Sequence, residues 1–518
     1  MSGCTKLFST TIVCVLFTST WLFGQSAAND VAAAKKLAKR IDNLIEIRWK
    51  GTKVRPAEPA DKYEFFRRLS LDLRGYIPSL LEMRNIEAED TPGPEFWIET
   101  FLNDPQFPAH FSRVFSDIML PEGNNNIAIA RQRKPFEDWL EYKIRNNEPF
   151  DKVARNLLTG LREPGVPGNP SAFYVANGNT SEGMATVTAR VLLGVKLECA
   201  QCHEHPFAEW SRDQFWQTAA FFNRKNVQYG PRGFARPKIT IAKTERTVNA
   251  TFLDGSEPAN SNPDNGPTVL ADWIATKENP FFARAMVDHV WTYFFGVSLL
   301  EQIQEGEEGT IKHKKLLDTM AKDFADRNFD MKYLVRAIVY SKAYGRSSRP
   351  ATNSTEAAAL FAHMPVRSLT AEQIFDSFCK ATYYKEEQNF TPNRGFVNPN
   401  VPLTPRQKFV KMFSERGSRT EKRTSILQAL FLMNDSFVNE RISQKSNESL
   451  RFLSSSDYDA AEAVNTLYII VLSRPANQRE LRQLTPYVLS GGPTNNRGKA
   501  MTDIYWALLN SSEFMLNH

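Results

Sequence analysis

The chain has 518 residues, of which 42% are hydrophobic and 24% are charged, and 36 are Phe. This composition is enough to build the cores of two or three domains, and it excludes a wholly disordered chain. The formal net charge of +6 comes without a long run of Lys or Arg, so we predict no nucleic-acid partner.

The first 28 residues are typical of a secretory signal peptide. Lys6 supplies the positive charge, residues 7–23 are apolar, and residues 26–28 are small residues suited to cleavage. An uncleaved anchor is the alternative, because the apolar run is close to the length that spans a bilayer. No later apolar run is that long. We therefore expect an exported mature chain without a membrane span, located in the periplasm or at the cell surface.

Helical periodicity dominates the next segment, and we assign residues 30–235 to a first domain. Asp61 and Ser181 precede two of its apolar runs and are expected to cap them. The last of its helices is rich in aromatic residues, which suits either an ordinary core or the wall of a cofactor pocket. The predicted helices of this domain span residues 31–49, 62–73, 79–86, 95–102, 108–119, 134–145, 150–158, 181–193 and 211–222.

Residues 236–267 change character, since 238–242 and 247–252 alternate like short strands and a polar stretch rich in Pro and Asn follows. Helical patterns then resume over residues 268–518. The predicted helices of this second domain span residues 280–295, 312–327, 331–341, 370–383, 425–432, 436–442, 460–473, 478–489 and 499–511. The predicted fold class is therefore mainly α, with two helical domains and a small β insert between them.

The sequence Cys199-Ala-Gln-Cys202-His203 has the spacing of a c-type haem attachment motif. Each thiol can add across a vinyl group of haem, and His203 is then placed to ligate the iron on the proximal side. The motif predicts haem c bound covalently through Cys199 and Cys202. Export agrees with this prediction, because attachment takes place outside the cytoplasm.

Two other interpretations of the motif stay open. Cys199, Cys202, His203 and His205 could hold zinc, although four ligands within seven residues strain a tetrahedral site. The two cysteines could instead form a disulfide, which would leave the following histidine unexplained. The remaining cysteine of the mature chain, Cys379, lies in an amphipathic pattern and is expected to be a small buried hydrophobic residue.

The distal iron ligand is a separate question, for which Met and His are the usual residues. His205 is too close to His203 to reach the opposite face of a haem, and Met184 lies on the incoming helix. The residues far enough along the chain to wrap around are His110, Met119 and His289. We take His110 as the leading distal candidate.

Longer stretches resemble a known pair of domains. Residues 191–207 around the motif, Trp210, Asp213-Gln-Phe-Trp216 and Ala219-Ala-Phe-Phe222 resemble the planctomycete-specific cytochrome-c-type domain, as does Phe66-Arg-Arg-Leu-Ser-Leu-Asp-Leu-Arg-Gly-Tyr-Ile-Pro78. The second half is similar to the planctomycete-specific domain of unknown function that commonly follows it. The segments that carry this second similarity are residues 279–287, 290–291, 295–296, 367–374 and 508–514.

The resemblance implies an exported protein with a proposed c-type haem at Cys199, Cys202 and His203, and it implies no established activity. It also implies an exported sulfatase-like partner, because such proteins are often encoded side by side. The chain departs from the family where Asp288-His289 replaces Asn-Arg and where residues 305–313 replace a turn with Pro and His. Any polar site that the family builds there is expected to be altered or lost in this chain.

The leading hypothesis for function is electron transfer by an exported haem protein with an unidentified redox partner. The alternatives are a secreted hydrolase or oxidoreductase in which the motif binds a metal, and a non-catalytic interaction module in which the cysteines staple the fold. The sequence has no Gly-x-Ser-x-Gly elbow, no His-Glu-x-x-His motif and no phosphate-binding glycine loop. Whether the protein is an enzyme stays open.

Overall fold

A computed structural model of the protein describes residues 8–120, 127–202, 210–223, 236–259, 265–300, 313–352, 354–386, 404–413 and 435–518. The fold is mainly helical, with 62% helix and 3% strand, and a small two-stranded sheet lies between the helical regions. This confirms the predicted fold class. Among the described helices, none combines the length and the hydropathy that crossing a membrane requires.

The helices of the first half include every one that was predicted, together with a short additional helix, Ala172–Ala176. They are α1 Phe8–Trp49, α2 Lys62–Arg74, α3 Leu80–Glu87, α4 Pro94–Leu102, α5 Gln106–Met119, α6 Ile127–Arg145, α7 Phe150–Thr159, α8 Ala172–Ala176, α9 Ser181–Leu192 and α10 Arg212–Ala220. A 3-10 turn, Glu198–Gln201, lies between α9 and α10. Strands β1 Lys238–Thr240 and β2 Thr247–Asn249 pair antiparallel, with Ile239 opposite Val248.

The second half is mainly helical in its described part. Its helices are α11 Gly266–Ile274, α12 Phe282–Phe295, α13 Lys314–Asp326, α14 Met331–Val339, α15 Thr355–Ala359, α16 Ala371–Thr382, α17 Pro405–Phe413, α18 Ser436–Arg441, α19 Glu448–Leu453, α20 Ala460–Leu472, α21 Gln478–Ser490 and α22 Arg497–Leu509. The last strand, β4 Leu516–Asn517, pairs antiparallel with β3 Arg367–Ser368. The predicted helix over residues 425–432 lies outside the described residues.

Two details of the first half differ from the prediction. Helix α1 begins at Phe8 and runs unbroken to Trp49, whereas the sequence pattern predicted a helix from residue 31. The cap of α9 is Thr180, whose side chain accepts the N–H of Gly183, so the expectation that Ser181 caps this helix is wrong. Thr180 is the cap because it has the extended backbone conformation that an N-cap needs. Asp61 does cap α2, as predicted, by accepting the N–H groups of Tyr63 and Glu64.

The buried side chains form two large clusters, and their grouping cuts across the predicted linker. The first cluster contains residues from 34 to 364 together with Ile469, so helices from both predicted domains share it. Phe115 packs on Phe150 with ring centroids 4.8 Å apart, and the N–H of Phe150 donates to the carbonyl of Phe329. The second cluster draws mainly on residues 369–515. The predicted bounds at 30–235 and 268–518 remain a prediction about independently folding units.

Helix α2 connects the two clusters through buried arginines. The guanidinium of Arg67 is 1% exposed and donates to the main-chain carbonyls of Val471, Glu513, Phe514 and Leu516. Its burial lowers the pKa of this group to about 10, so it remains charged at neutral pH. The carbonyl oxygens disperse that charge, and the C-terminal segment is thereby fixed against α2.

Asp72, one turn further along α2, is completely buried. Its carboxylate accepts Arg367 Nη2 at 3.1 and 2.9 Å, the hydroxyl of Tyr344 at 3.0 Å and the side-chain amide of Asn517 at 2.8 Å. These donors come from β3, from the segment after α14 and from β4. The acid therefore holds together three parts of the chain that are far apart in sequence.

Candidate functional site

The two motif cysteines lie at the 3-10 turn that follows α9. Leu197 and Ala200 are fully buried and anchor the turn in the core, while Cys199 and Cys202 are exposed. Both cysteines are free thiols. The turn therefore presents two soft nucleophiles on the protein surface, three residues apart.

Helix α9 brings the chain to this turn. Its apolar face is buried as the sequence predicted, with Met184, Val187 and Val191 each at most 1% exposed. The helix ends at Leu192, and Gly194 shortly after it has a φ of +65°, the left-handed conformation that glycine adopts without strain. The N–H of Val195 then donates back to the carbonyl of Ala189 at 2.9 Å, a closure typical of helix C-termini.

Helix α10 fixes the turn from the other side. A capping box between Ser211 and Gln214 begins the helix. The indole N–H of Trp216 then donates to the carbonyl of Gln201 at 3.2 Å. The aromatic residues Phe215, Trp216 and Phe221 are at most 2% exposed, so they belong to the core. Their burial supports the ordinary-core interpretation of this helix over the interpretation as a pocket wall.

His203 and His205 lie outside the described residues. The predicted proximal ligand and the zinc alternative, which needs both histidines, therefore stay predictions. Within the described ranges, no three His, Cys, Asp or Glu side chains come together in a way that could hold a metal ion. Of the residues that would hold haem, the structure describes the two cysteines. Two exposed thiols on one turn are the groups needed to form thioether bonds with the two vinyl groups of haem.

His110, the leading distal candidate, is 6% exposed on α5. Its Nε2 lies 2.7 Å from the hydroxyl of Tyr293, and that hydroxyl donates to the carbonyl of Asp72 at 2.9 Å. Because the tyrosine proton is used in this way, Nε2 of His110 carries a proton and donates. Binding of iron at Nε2 would require breaking this hydrogen bond, and the distal role of His110 stays a prediction.

Asp288 and His289, which replace the Asn-Arg pair common in the family, each make hydrogen bonds that stabilise the fold. The carboxylate of Asp288 accepts the hydroxyl of Ser298 and the N–H groups of Leu299 and Leu300, so it closes the turn after α12. Its burial raises the pKa of Asp288. Nε2 of His289 lies 2.8 Å from the carbonyl of Val191. His289 therefore attaches the end of α9 to α12, whereas Asp288 acts within the turn that follows α12.

Cys379 packs on the core as the sequence predicted, but it is only partly buried. It lies on α16, packs on the second core cluster and is only partly accessible. Burial raises the pKa of its thiol well above the ordinary value. Since the thiolate is the reactive form, this cysteine is far less suited to covalent attachment than the exposed pair.

A cavity of about 390 Å³ lies between α5, α9 and α12. Residues 194–196, which lead to the cysteine turn, form part of its wall, and His289 faces it from α12. This cavity could not be predicted from the sequence, because its walls come from segments that are far apart, from α5 to the residue that precedes α16. The available signal was weak, because Arg190 and His289 lie on helices that carry other polar residues as well, Glu182 and Arg284 among them.

The fold and the cysteine turn define a class of helical proteins with two cysteines that have the spacing of a CxxCH motif. Two family models match the chain: PSCyt2, described as a protein of unknown function (DUF1549), over residues 40–227, and PSD1, described as a protein of unknown function (DUF1553), over residues 268–421. The chain therefore contains a PSCyt2 domain, named as cytochrome-like, followed by a PSD1 domain. This confirms the resemblance seen in the sequence. No curated protein and no solved structure matches the chain.

Proposed function

We propose that the chain is an exported c-type haem protein that transfers electrons through haem attached covalently at Cys199 and Cys202. The observation that carries the proposal is the pair of free, exposed thiols on one 3-10 turn. His203 follows them directly in the sequence and supplies the proximal imidazole. The match to PSCyt2 over this segment supports the proposal independently of the geometry.

The residues around the turn position the thiols. Ala200 and Leu197 are buried on the inner side of the turn, so both cysteine side chains lie on its outer side. The bond from Trp216 to the carbonyl of Gln201 limits movement of the turn relative to α10. A bound haem would supply a one-electron redox centre at this place. The protein would set its potential through the axial ligands and the surrounding side chains.

Export is part of the proposal. The N-terminal charge, apolar stretch and small residues suit a cleaved signal peptide, and haem attachment to cysteine pairs takes place outside the cytoplasm. Under this proposal the mature chain works in the periplasm or at the cell surface. Its redox partner is another, unidentified exported protein. The sulfatase-like partner implied by the resemblance is a separate candidate partner.

The proposal is tested by producing the full chain in a host with the c-type maturation system. We expect a sharp α absorption band after anaerobic reduction and a haem signal that survives denaturing electrophoresis. Cys202→Ala should lose one thioether link and most of the covalent haem. Cys379→Ala is the matched control, because it removes a partly buried thiol away from the turn, and it should keep the haem.

Colourless full-length protein, from cells that mature a known c-type cytochrome, would contradict the proposal. Metal analysis of the same sample separates the remaining interpretations. Stoichiometric zinc without iron supports the zinc alternative at the motif. Two cysteines that resist alkylation until a reductant is added support the disulfide alternative.

A further inference from the structure

The cavity between α5, α9 and α12 has the properties of a small-molecule site. Its volume of about 390 Å³ lies within the range of about 300–1,000 Å³ that is usual for ligand pockets. Most of its surface is apolar, with Ile118, Val195 and Leu300 among the lining residues. A few polar side chains interrupt this surface, which is the pattern of pockets that orient a ligand.

His289 supplies a hydrogen-bond acceptor at the wall. Its Nε2 is 2.8 Å from the carbonyl of Val191, and a carbonyl can only accept, so Nε2 carries the proton. Nδ1 is then left with a lone pair, and it has no hydrogen-bond partner among the described residues. Burial lowers the pKa of His289, which favours this neutral form. One turn along α12, the hydroxyl of Thr292 is also buried without a partner in the described part of the chain.

The charge of the cavity favours an anionic ligand. Asp288 is satisfied by three donors, and Asp117 is paired with Arg133. Arg190 lies at the wall near His289, is exposed, and has no carboxylate partner in the described ranges. The acidic side chains of the wall are therefore compensated within the protein, whereas the guanidinium of Arg190 is available to a ligand.

We propose that this cavity binds a small carboxylic acid that also carries a hydroxyl group, of about the size of a hydroxybenzoate. The carboxylate pairs with Arg190, the hydroxyl donates to Nδ1 of His289, and the hydrocarbon part packs on Val195 and Leu300. A bidentate contact of carboxylate with arginine is the strong form of such a pair. This inference goes beyond the proposed function, because it requires no haem.

The test uses four probes, which are titrated into the full chain by calorimetry. The probes 3-hydroxybenzoate and 4-hydroxybenzoate carry both groups, whereas benzoate and 4-methoxybenzoate lack the hydroxyl donor. We expect at least one hydroxybenzoate to bind about tenfold more tightly than benzoate, since the acceptor on His289 is left unpaired by the latter. The haem content of each sample is measured separately, so that failure of this proposal and failure of haem attachment give different results.

Variants assign the two contacts. Arg190→Gln should weaken all four carboxylates by about tenfold, because each loses the same ion pair. His289→Phe should remove the preference for the hydroxybenzoate over benzoate. Arg48→Gln, which removes a cation of α1 outside the cavity wall, is the matched control and should leave every affinity unchanged.

Three results would overturn the inference: no binding of either hydroxybenzoate at millimolar concentration, equal affinity for hydroxybenzoates and benzoate, or unchanged affinities in Arg190→Gln. Melting curves of each variant check that it is folded. Should His289→Phe fail to fold, Arg190→Gln decides the outcome, since it alters an exposed side chain.

Discussion

At the residue scale, we expect the loss of the Asp72 carboxylate to destabilise the fold strongly, because it bonds three distant segments of the chain. Its carboxylate and the guanidinium of Arg367 are 0% and 1% exposed, and the pair is further bonded by Tyr344 and Asn517. A buried ion pair of this kind adds little net stability over a hydrophobic pair, because both charges have lost their hydration. Removing one partner is different, since the other charge is then left buried and uncompensated.

We therefore expect Asp72→Asn to lower the free energy of unfolding by about 3–5 kcal/mol. Asparagine keeps the shape of the side chain and removes the charge, so the loss reports the uncompensated Arg367. Urea denaturation followed by circular dichroism measures the effect. Asp213→Asn breaks the exposed pair with Arg246 and is the control, with an expected loss of about 0–1 kcal/mol. Equal losses in the two variants would show that Asp72 is not buried as described.

Glu137 on α6 is a second acid in an unusual environment. Its burial raises the pKa to about 7 from an ordinary 4.5, although Arg133 and Arg113 oppose the shift. Between these values the folded state holds a proton that the unfolded state has released. The stabilisation from Glu137 is therefore complete below pH 4.5 and is lost as the pH rises through about 7.

The expected consequence is a pH-dependent difference between the wild type and Glu137→Gln. Glutamine resembles the protonated acid, so the two proteins should be equally stable near pH 4. At pH 8 the variant should be more stable by about 2–3 kcal/mol, since it has no buried carboxylate to ionise. Denaturant titrations at several pH values give this difference. A difference that does not change with pH would contradict the assignment.

At the element scale, the crossing of α9 and α12 depends on Gly194. A Cβ at this position would lie 2.6 Å from Cδ1 of Leu300 and 3.3 Å from Cβ of Ala285, and the φ of +65° is strained for any other residue. The close approach keeps α12 against the segment that leads to the cysteine turn. It also places His289 within reach of the carbonyl of Val191.

Gly194→Ala should combine backbone strain with a steric clash and lower the free energy of unfolding by about 2–4 kcal/mol. Gly165→Ala is the matched control. It has a similar φ of +79°, but its added Cβ would meet nothing within 4 Å, so strain alone should apply, at about 1 kcal/mol. Thermal and urea unfolding of both variants give the two values. Comparable losses would mean that the contact with Leu300 is not required.

The long helices could be predicted because their apolar residues repeat over several turns, as they do in α9 and α16. Short helices gave no such signal, since Ala172–Ala176 and Thr355–Ala359 are little more than one turn each. The unbroken length of α1 was also missed, because a signal peptide was expected where the helix begins. Local pattern thus determines which segments are helical, whereas the exact ends depend on capping by single residues.

At the scale of the whole molecule, one part of the candidate site could be predicted from the sequence and another part could not. The cysteine pair could be predicted because Cys199 and Cys202 are close in sequence and lie on one turn. The buried network of Asp72, Arg367 and Asn517 could not, because its members are hundreds of residues apart and none carries a local motif of its own. The cavity was missed for the same reason. Contacts between distant segments are difficult to predict from one sequence. In this protein such contacts join the two predicted domains.

Because the first core contains residues of both predicted domains, a fragment that holds only the first domain should not fold by itself. The first core contains Phe115 and Phe150 from the first predicted domain and Phe282 and Phe329 from the second. The ring centroids of Phe282 and Phe329 are 5.3 Å apart. A fragment of residues 30–235 would expose the apolar surface that these second-domain residues cover. We expect it to lack a near-ultraviolet circular dichroism signal and to melt without a cooperative transition. A fragment of residues 30–364, which contains the first core almost entirely, should show both. Cooperative melting of the shorter fragment would show instead that the PSCyt2 domain folds without its neighbour.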